Sequence, residues 1–216
     1  MIAPTRRALL LLTCLALPGA GPPPPPACGS AIAAAERMRG TAPGLLAAIG
    51  VVESGRMDPV TRQRAAWPWT VTADGVGTFY PAKPQAIAAV QALRARGINS
   101  IDVGCMQINL LYHPAAFRDL DEAFDPAVNT AYAARFLAGL YQRLGAWQAA
   151  AEAYHSLTPE RGAQYGRLIA AVWAGAPVPT VAGPGGVQVV TFPDGSQMRI
   201  LRDATIGTGR VLGYLP

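Results

Sequence analysis

Apolar and polar positions along the chain alternate in a way that predicts a helical body interrupted by short β-prone stretches. Ala-rich residues 30–39, with Ser30 as an N-cap, and the apolar run Gly44 to Val52, led by Pro43, predict two opening helices. Residues 67–80 then change character: Trp69-Thr70-Val71-Thr72 and Val76 to Tyr80 flank an Asp74-Gly75 turn and predict a small hairpin. Helical spacing returns over 84–96, where Ile87, Val90 and Leu93 share a face and Gly97 is the stop. Residues 98–109 mix polar and apolar types with no clear period. Three further helices are expected over 126–144, 146–156 and 159–173, with Ala134, Leu137, Leu140 and Tyr141 marking a buried face. A Pro/Gly-rich linker at 176–186 leads to a tail, 187–216. There, β-prone residues 187–192 and 197–201 flank Pro193-Asp194-Gly195-Ser196, a second hairpin signal. About thirty residues hold no core alone, so this tail is expected to dock on the domain or on a partner.

The first residues follow another logic. Arg6-Arg7, an apolar run over 8–17 and a proline-rich exit read as an export signal whose apolar middle is too short to span a bilayer. The expected division is a leader at 1–27 and a domain at 28–175, delivered by Sec export. Without the leader and its Cys14, two cysteines remain, Cys28 and Cys105. An oxidising compartment favours their pairing over two buried thiols, and the closed loop would contribute at most about 4 kcal/mol. The length of 216 residues and the 51% hydrophobic content fit one main domain with a small appendage. The net charge of +5 suits an anionic polymer or surface. Scattered basic residues without interleaved aromatics argue against nucleic acid.

Candidate chemistry is sparse. The two histidines, His113 and His155, sit in no metal-ligand pattern, and no cofactor or metal is expected. Nucleophile-elbow, phosphate-loop and dinucleotide fingerprints are missing from the sequence. Glu53 ends the apolar run and precedes Ser54; apolar surroundings disfavour a carboxylate, which makes this residue a candidate general acid, the alternative being a solvated helix end. Glycoside cleavage normally uses two carboxylates. Asp58, Asp74 and Asp102 are possible seconds, and no context singles one out.

Taken in order, Glu53-Ser54, then Gly104-Cys105-Met106-Gln107-Ile108-Asn109, Asn129 in a long helix, Ala153-Tyr154 and Tyr165 resemble the catalytic domain of soluble lytic transglycosylases, over roughly residues 28–173. The resemblance implies an α+β, mainly α, lysozyme-like domain with a small β-hairpin. It further implies cleavage of the MurNAc–GlcNAc β-1,4 bond of peptidoglycan by a single Glu that first protonates the glycosidic oxygen. As carboxylate, that Glu then takes the proton from the C6 hydroxyl of the same MurNAc, which closes on C1 to a 1,6-anhydro product. Residue by residue it implies Glu53 as acid and base, with Ser54, Met106, Gln107, Asn109, Tyr154 and Tyr165 around the substrate. Glycan strands would be the partner and the periplasm the location.

Three departures stand out. Cys105 replaces an aliphatic residue, His155 replaces the Asn that follows Tyr154 in the family, and Ser156-Leu157 replaces Ala-Gly. The long stretch between Glu53 and Gly104 resembles specialised members that open the wall for secretion, conjugation, pilus or flagellar assembly, with an assembly protein as a possible partner of the tail. A hydrolytic muramidase and a non-catalytic wall-binding protein are the alternatives.

Overall fold

The structure, a computed structural model, describes residues 28–57 and 63–176, together with the backbone of four strands beyond them. The expected leader with Cys14, Asp58, and the turn at 193–196 lie outside the described residues.

Helix α1 (Cys28–Arg39) is followed by α2 (Leu45–Ser54). Gly44 takes a left-handed φ of 79°, so α2 begins after it and not at Pro43. Its cap is not local. The Glu36 carboxylate, from α1, accepts hydrogen bonds from the amides of Leu46 (2.8 Å), Ala47 (3.2 Å) and Gly44 (3.3 Å). This places negative charge at the positive end of the helix dipole, a geometry that contributes about 0.3–1 kcal/mol.

After α2 come β1 (Gly55–Met57) and β2 (Arg64–Ala66), an antiparallel pair, and then the expected hairpin, β3 (Thr70–Ala73) and β4 (Val76–Phe79). Asp74 and Gly75 both have positive φ, 51° and 72°, as a tight two-residue hairpin turn requires. Helix α3 (Lys83–Ala95) leads into β5 (Ile101–Val103) and β6 (Ile108–Asn109). Those two strands occupy the stretch that lacks a period in sequence. They are three and two residues long, too short for alternation to register.

The sheet has the order β6-β5-β3-β4, and its register places Asn109 opposite Asp102 and Asp102 opposite Thr72. Alternation along the strands buries Val71, Ala73, Ile101 and Val103 in one core cluster with Ala86 and Val90 of α3. Thr72, Asp102 and Asn109 therefore occupy the other face.

The helical body continues with α4 (Leu120–Ala123), α5 (Pro126–Leu144), α6 (Trp147–His155) and α7 (Pro159–Trp173). Pro126 starts α5 behind an Asp125 cap whose carboxylate accepts from Ala127 and Val128 amides. Leu45, Leu46, Ile49, Leu137, Leu140 and Ile169 form the main core. A disulfide joins Cys28 at the start of α1 to Cys105 in the β5–β6 turn.

In the tail, β8 (Val187–Thr191) and β9 (Gln197–Asp203) form the expected antiparallel pair. Two strands are added to it: β7 (Val181–Ala182), inside the expected linker, and β10 (Thr208–Tyr214). Strand β10 pairs with β4 through Gly209–Gly77 and Arg210–Val76, so the tail joins the sheet of the domain. Among the described residues no helix is long and apolar enough to cross a membrane.

Candidate active site

The last turn of α2 carries Glu53 between two helices and a sheet. Burial pushes its carboxyl up to about 8. The hydroxyl of Tyr165, from α7, donates to Glu53 Oε1 at 2.7 Å and opposes that rise, while the charge of Asp102 adds to it. At neutral pH the group is mainly the protonated acid.

The polar face of the sheet lies within electrostatic reach of this helix end. Asn109, Asp102 and Thr72 form a polar row across three strands, and Asn109 Nδ2 donates to Asp102 Oδ1 at 2.9 Å. Burial lifts Asp102 to about 6, against that hydrogen bond. Tyr154, from α6, has its phenol pushed well above its ordinary value by burial, with the charges of Glu53, Asp102 and Tyr132 adding to the shift. Tyr154 therefore lies within electrostatic reach of both carboxyls. Glu53, Asp102, Tyr154 and Tyr165 form one cluster.

Asp102 is the functional candidate that sequence reasoning leaves undistinguished. Its signal is small: one acidic residue between two buried β-branched ones, Ile101 and Val103, two positions before Gly104. Asp74, by contrast, occupies the β3–β4 turn.

The structure divides the other expected substrate contacts into two kinds. Ser54 and Met106 are enclosed, 1% and 0% exposed. Ser54 Oγ donates to Cys105 O at 2.7 Å and accepts from the Trp67 amide at 3.2 Å, so its hydroxyl ties the end of α2 to the two segments beside it. The Met106 sulfur packs against Gly50, one turn before Glu53. Its backbone amide donates to Asn129 Oδ1 at 2.9 Å, and its carbonyl accepts from the Tyr154 hydroxyl at 2.9 Å. These two side chains shape the wall and do not face solvent.

Gln107 and Asn109 are only partly enclosed. Gln107 has a φ of 48°, a conformation costing about 1–3 kcal/mol away from glycine, and its side chain explains how it is held. Nε2 donates to Gly104 O (3.0 Å) and Thr70 O (3.2 Å), and Oε1 accepts from the Thr72 hydroxyl (2.5 Å). Gly104 must be glycine: its φ is 81°, and an added Cβ would run into the Asn129 side chain. Asn109 Oδ1 accepts from the amides of Leu111 and Tyr112, turning the chain away from the sheet.

His155 stacks flat on Tyr165, with ring centroids 4.6 Å apart and planes 8° apart. His113 lies elsewhere, with Nδ1 2.8 Å from the Tyr132 hydroxyl and its ring edge-on to Phe136. Among the described residues no group of three or more His, Cys, Asp or Glu is placed to hold a metal ion.

Chemically, the cluster presents a protonated carboxyl near neutrality beside a second one that ionises about two units lower. Environments that separate two carboxyls in this way assign one to acid work and leave the other free to carry charge. Residues 30–161, more than half of the chain, match the family model described as the transglycosylase SLT domain. No curated protein and no solved structure matches the chain.

Proposed function

This chain belongs to the transglycosylase SLT domain family, with the α+β lysozyme-like fold that goes with it, and we propose that it is an exported lytic transglycosylase in which Glu53 is the general acid and base. The family membership makes it a peptidoglycan lytic transglycosylase in general terms. The observation that carries the finer reading is the state of Glu53: a carboxyl lifted to about 8, accepting one hydrogen bond from Tyr165 on Oε1.

That state suits both halves of a water-free cleavage. The protonated carboxyl donates to the glycosidic oxygen as the C1–O bond breaks. The carboxylate so formed then removes the C6 hydroxyl proton of the same MurNAc, whose oxygen bonds C1 to give the 1,6-anhydro ring. A group with its pKa near the working pH can perform both transfers. Desolvation drives the first step, and the Tyr165 hydrogen bond stabilises the carboxylate needed for the second. Gln107, Asn109 and Tyr154 supply amide and phenol groups for the sugar and its N-acetyl substituents. Ser54 and Met106 support the site from behind. Location in the periplasm, service to an envelope-spanning assembly and contact of the tail with an assembly partner belong to this reading as well.

Asp102 favours a second reading. A carboxylate in the same cluster could activate water, which would make the enzyme a hydrolytic muramidase. Mass analysis of muropeptides released by the wild type and by E53Q tests both. Anhydro ends from the wild type and none from E53Q are expected. Products one water heavier would replace the first reading by the second, and full cleavage by E53Q would remove Glu53 from its role.

A further inference from the structure

The stacked pair at the rim of the cluster has a role of its own. We propose that His155 is a positioning residue, its imidazole holding the Tyr165 ring so that the phenol donates to one chosen oxygen of Glu53. This rests on the reading of Glu53 as the acid.

Helices α6 and α7 approach each other closely, and two glycines on α7 allow it. A Cβ on Gly162 would lie 2.9 Å from Ser156 O, and a Cβ on Gly166 would run into the Glu152 side chain. Tyr165 sits between these glycines in sequence, and His155 is the last residue of α6. The close approach therefore sets the imidazole over the phenol at 4.6 Å. The inner face of His155 is packed, its outer side is open, and the one-sided packing together with the Arg161 guanidinium holds the imidazole below its ordinary pKa. At neutral pH a neutral ring faces Tyr165.

A phenol donates within the plane of its ring, so tilting the ring takes the hydrogen away from its acceptor. Because Tyr165 donates to Oε1, the acid proton of Glu53 is directed to Oε2. A ring clamped flat by a neighbour keeps that choice constant through the catalytic cycle. The clamp acts on the chemical step and not on sugar affinity, because His155 reaches Glu53 only through Tyr165.

The experiment uses the full exported chain and purified sacculi, comparing wild type, E53Q, H155A, H155F, Y165F and the double variant H155A/Y165F. H155A is expected to lower kcat about five- to tenfold, the rate equivalent of one aromatic pair, with KM within about twofold. H155F keeps a flat ring and is expected to restore kcat. In the Y165F background H155A is expected to have no further effect, because the two residues form one unit. Should H155A not fold, H155F and H155N carry the comparison, the first near wild type and the second impaired. The proposal is overturned by an undiminished H155A effect in the Y165F background, by H155F as impaired as H155A, or by a loss confined to KM. Cleavage by E53Q would instead remove the underlying reading, whereas Glu53-dependent cleavage indifferent to His155 removes only this inference.

Discussion

Tyr165 lies 112 positions after Glu53 in sequence, yet its hydroxyl donates to Glu53 Oε1 at 2.7 Å. Two helices from opposite ends of the domain, α2 and α7, meet at that bond. The phenol opposes the rise that burial imposes on the carboxyl. Removing it has a signed effect.

For Y165F, Glu53 should ionise at higher pH, because the lost hydrogen bond favours the carboxylate. The alkaline limb of the rate profile, where the acid form disappears, is expected to move upward from about 8, with kcat reduced roughly tenfold as one charge-assisted hydrogen bond is lost. A pH profile of kcat/KM on soluble glycan fragments measures it. An unmoved limb would detach Tyr165 from the titrating group.

For D102N the sign reverses. The charge of Asp102 raises Glu53, so its removal should move the alkaline limb to lower pH. Product analysis adds a second readout: if the anhydro ends persist unchanged, Asp102 tunes the acid without activating water. Loss of a hydrated fraction would assign it the hydrolytic role.

The stability of E53Q follows from linkage. An unfolded Glu ionises near 4.5 and the folded one near 8, so between those values the folded state holds a proton that the unfolded state releases. Stability from this group is complete below about 4.5 and is lost as pH rises to 8, the loss reaching about 3 kcal/mol by pH 7. E53Q is expected to melt above the wild type at pH 8 and to match it near pH 4. Equal melting temperatures at pH 8 would contradict the buried placement of the carboxyl.

Reduction of the Cys28–Cys105 disulfide, which closes a loop of sequence separation 77, should cost about 4 kcal/mol and lower Tm by roughly 10 °C. Thermal melts with and without reductant, repeated on C28A/C105A, check this. The same treatment loosens the β5–β6 turn that receives the Ser54 hydroxyl, so activity should fall before the fold is lost.

Much of the fold is legible in the chain because the relevant signals are local. Helices α5 and α7 carry apolar spacing over many turns, and the Asp74-Gly75 turn needs no neighbours to be recognised. Two kinds of feature escape. The first are elements too short to show a period, such as β5 and β6, and with them the facing of Asp102. The second are contacts between distant segments: the Glu36 carboxylate capping α2, the burial of Ser54 and Met106, and the strand β10 beside β4. The candidate acid could be picked out because an apolar run ends on it. Tyr165 enters only through the resemblance carried by the ordered motifs, and Asp102 acts on Glu53 through space, which its own sequence context does not reveal.

One further consequence concerns chemical ageing. Asn129, fully buried, donates from Nδ2 to Val103 O and Ala123 O and accepts on Oδ1 from the Met106 amide, holding three segments with a single amide. An aspartate of the same shape has no hydrogens to give, so its second oxygen would face two carbonyls. Spontaneous deamidation at this position would therefore strike the β5–β6 turn, whose Met106 amide and Val103 carbonyl it holds, while leaving Glu53 and Tyr165 unaltered. Its place within α5 holds the following backbone nitrogen in helical geometry, away from the side-chain amide it would have to attack, so the reaction waits on local opening of that helix.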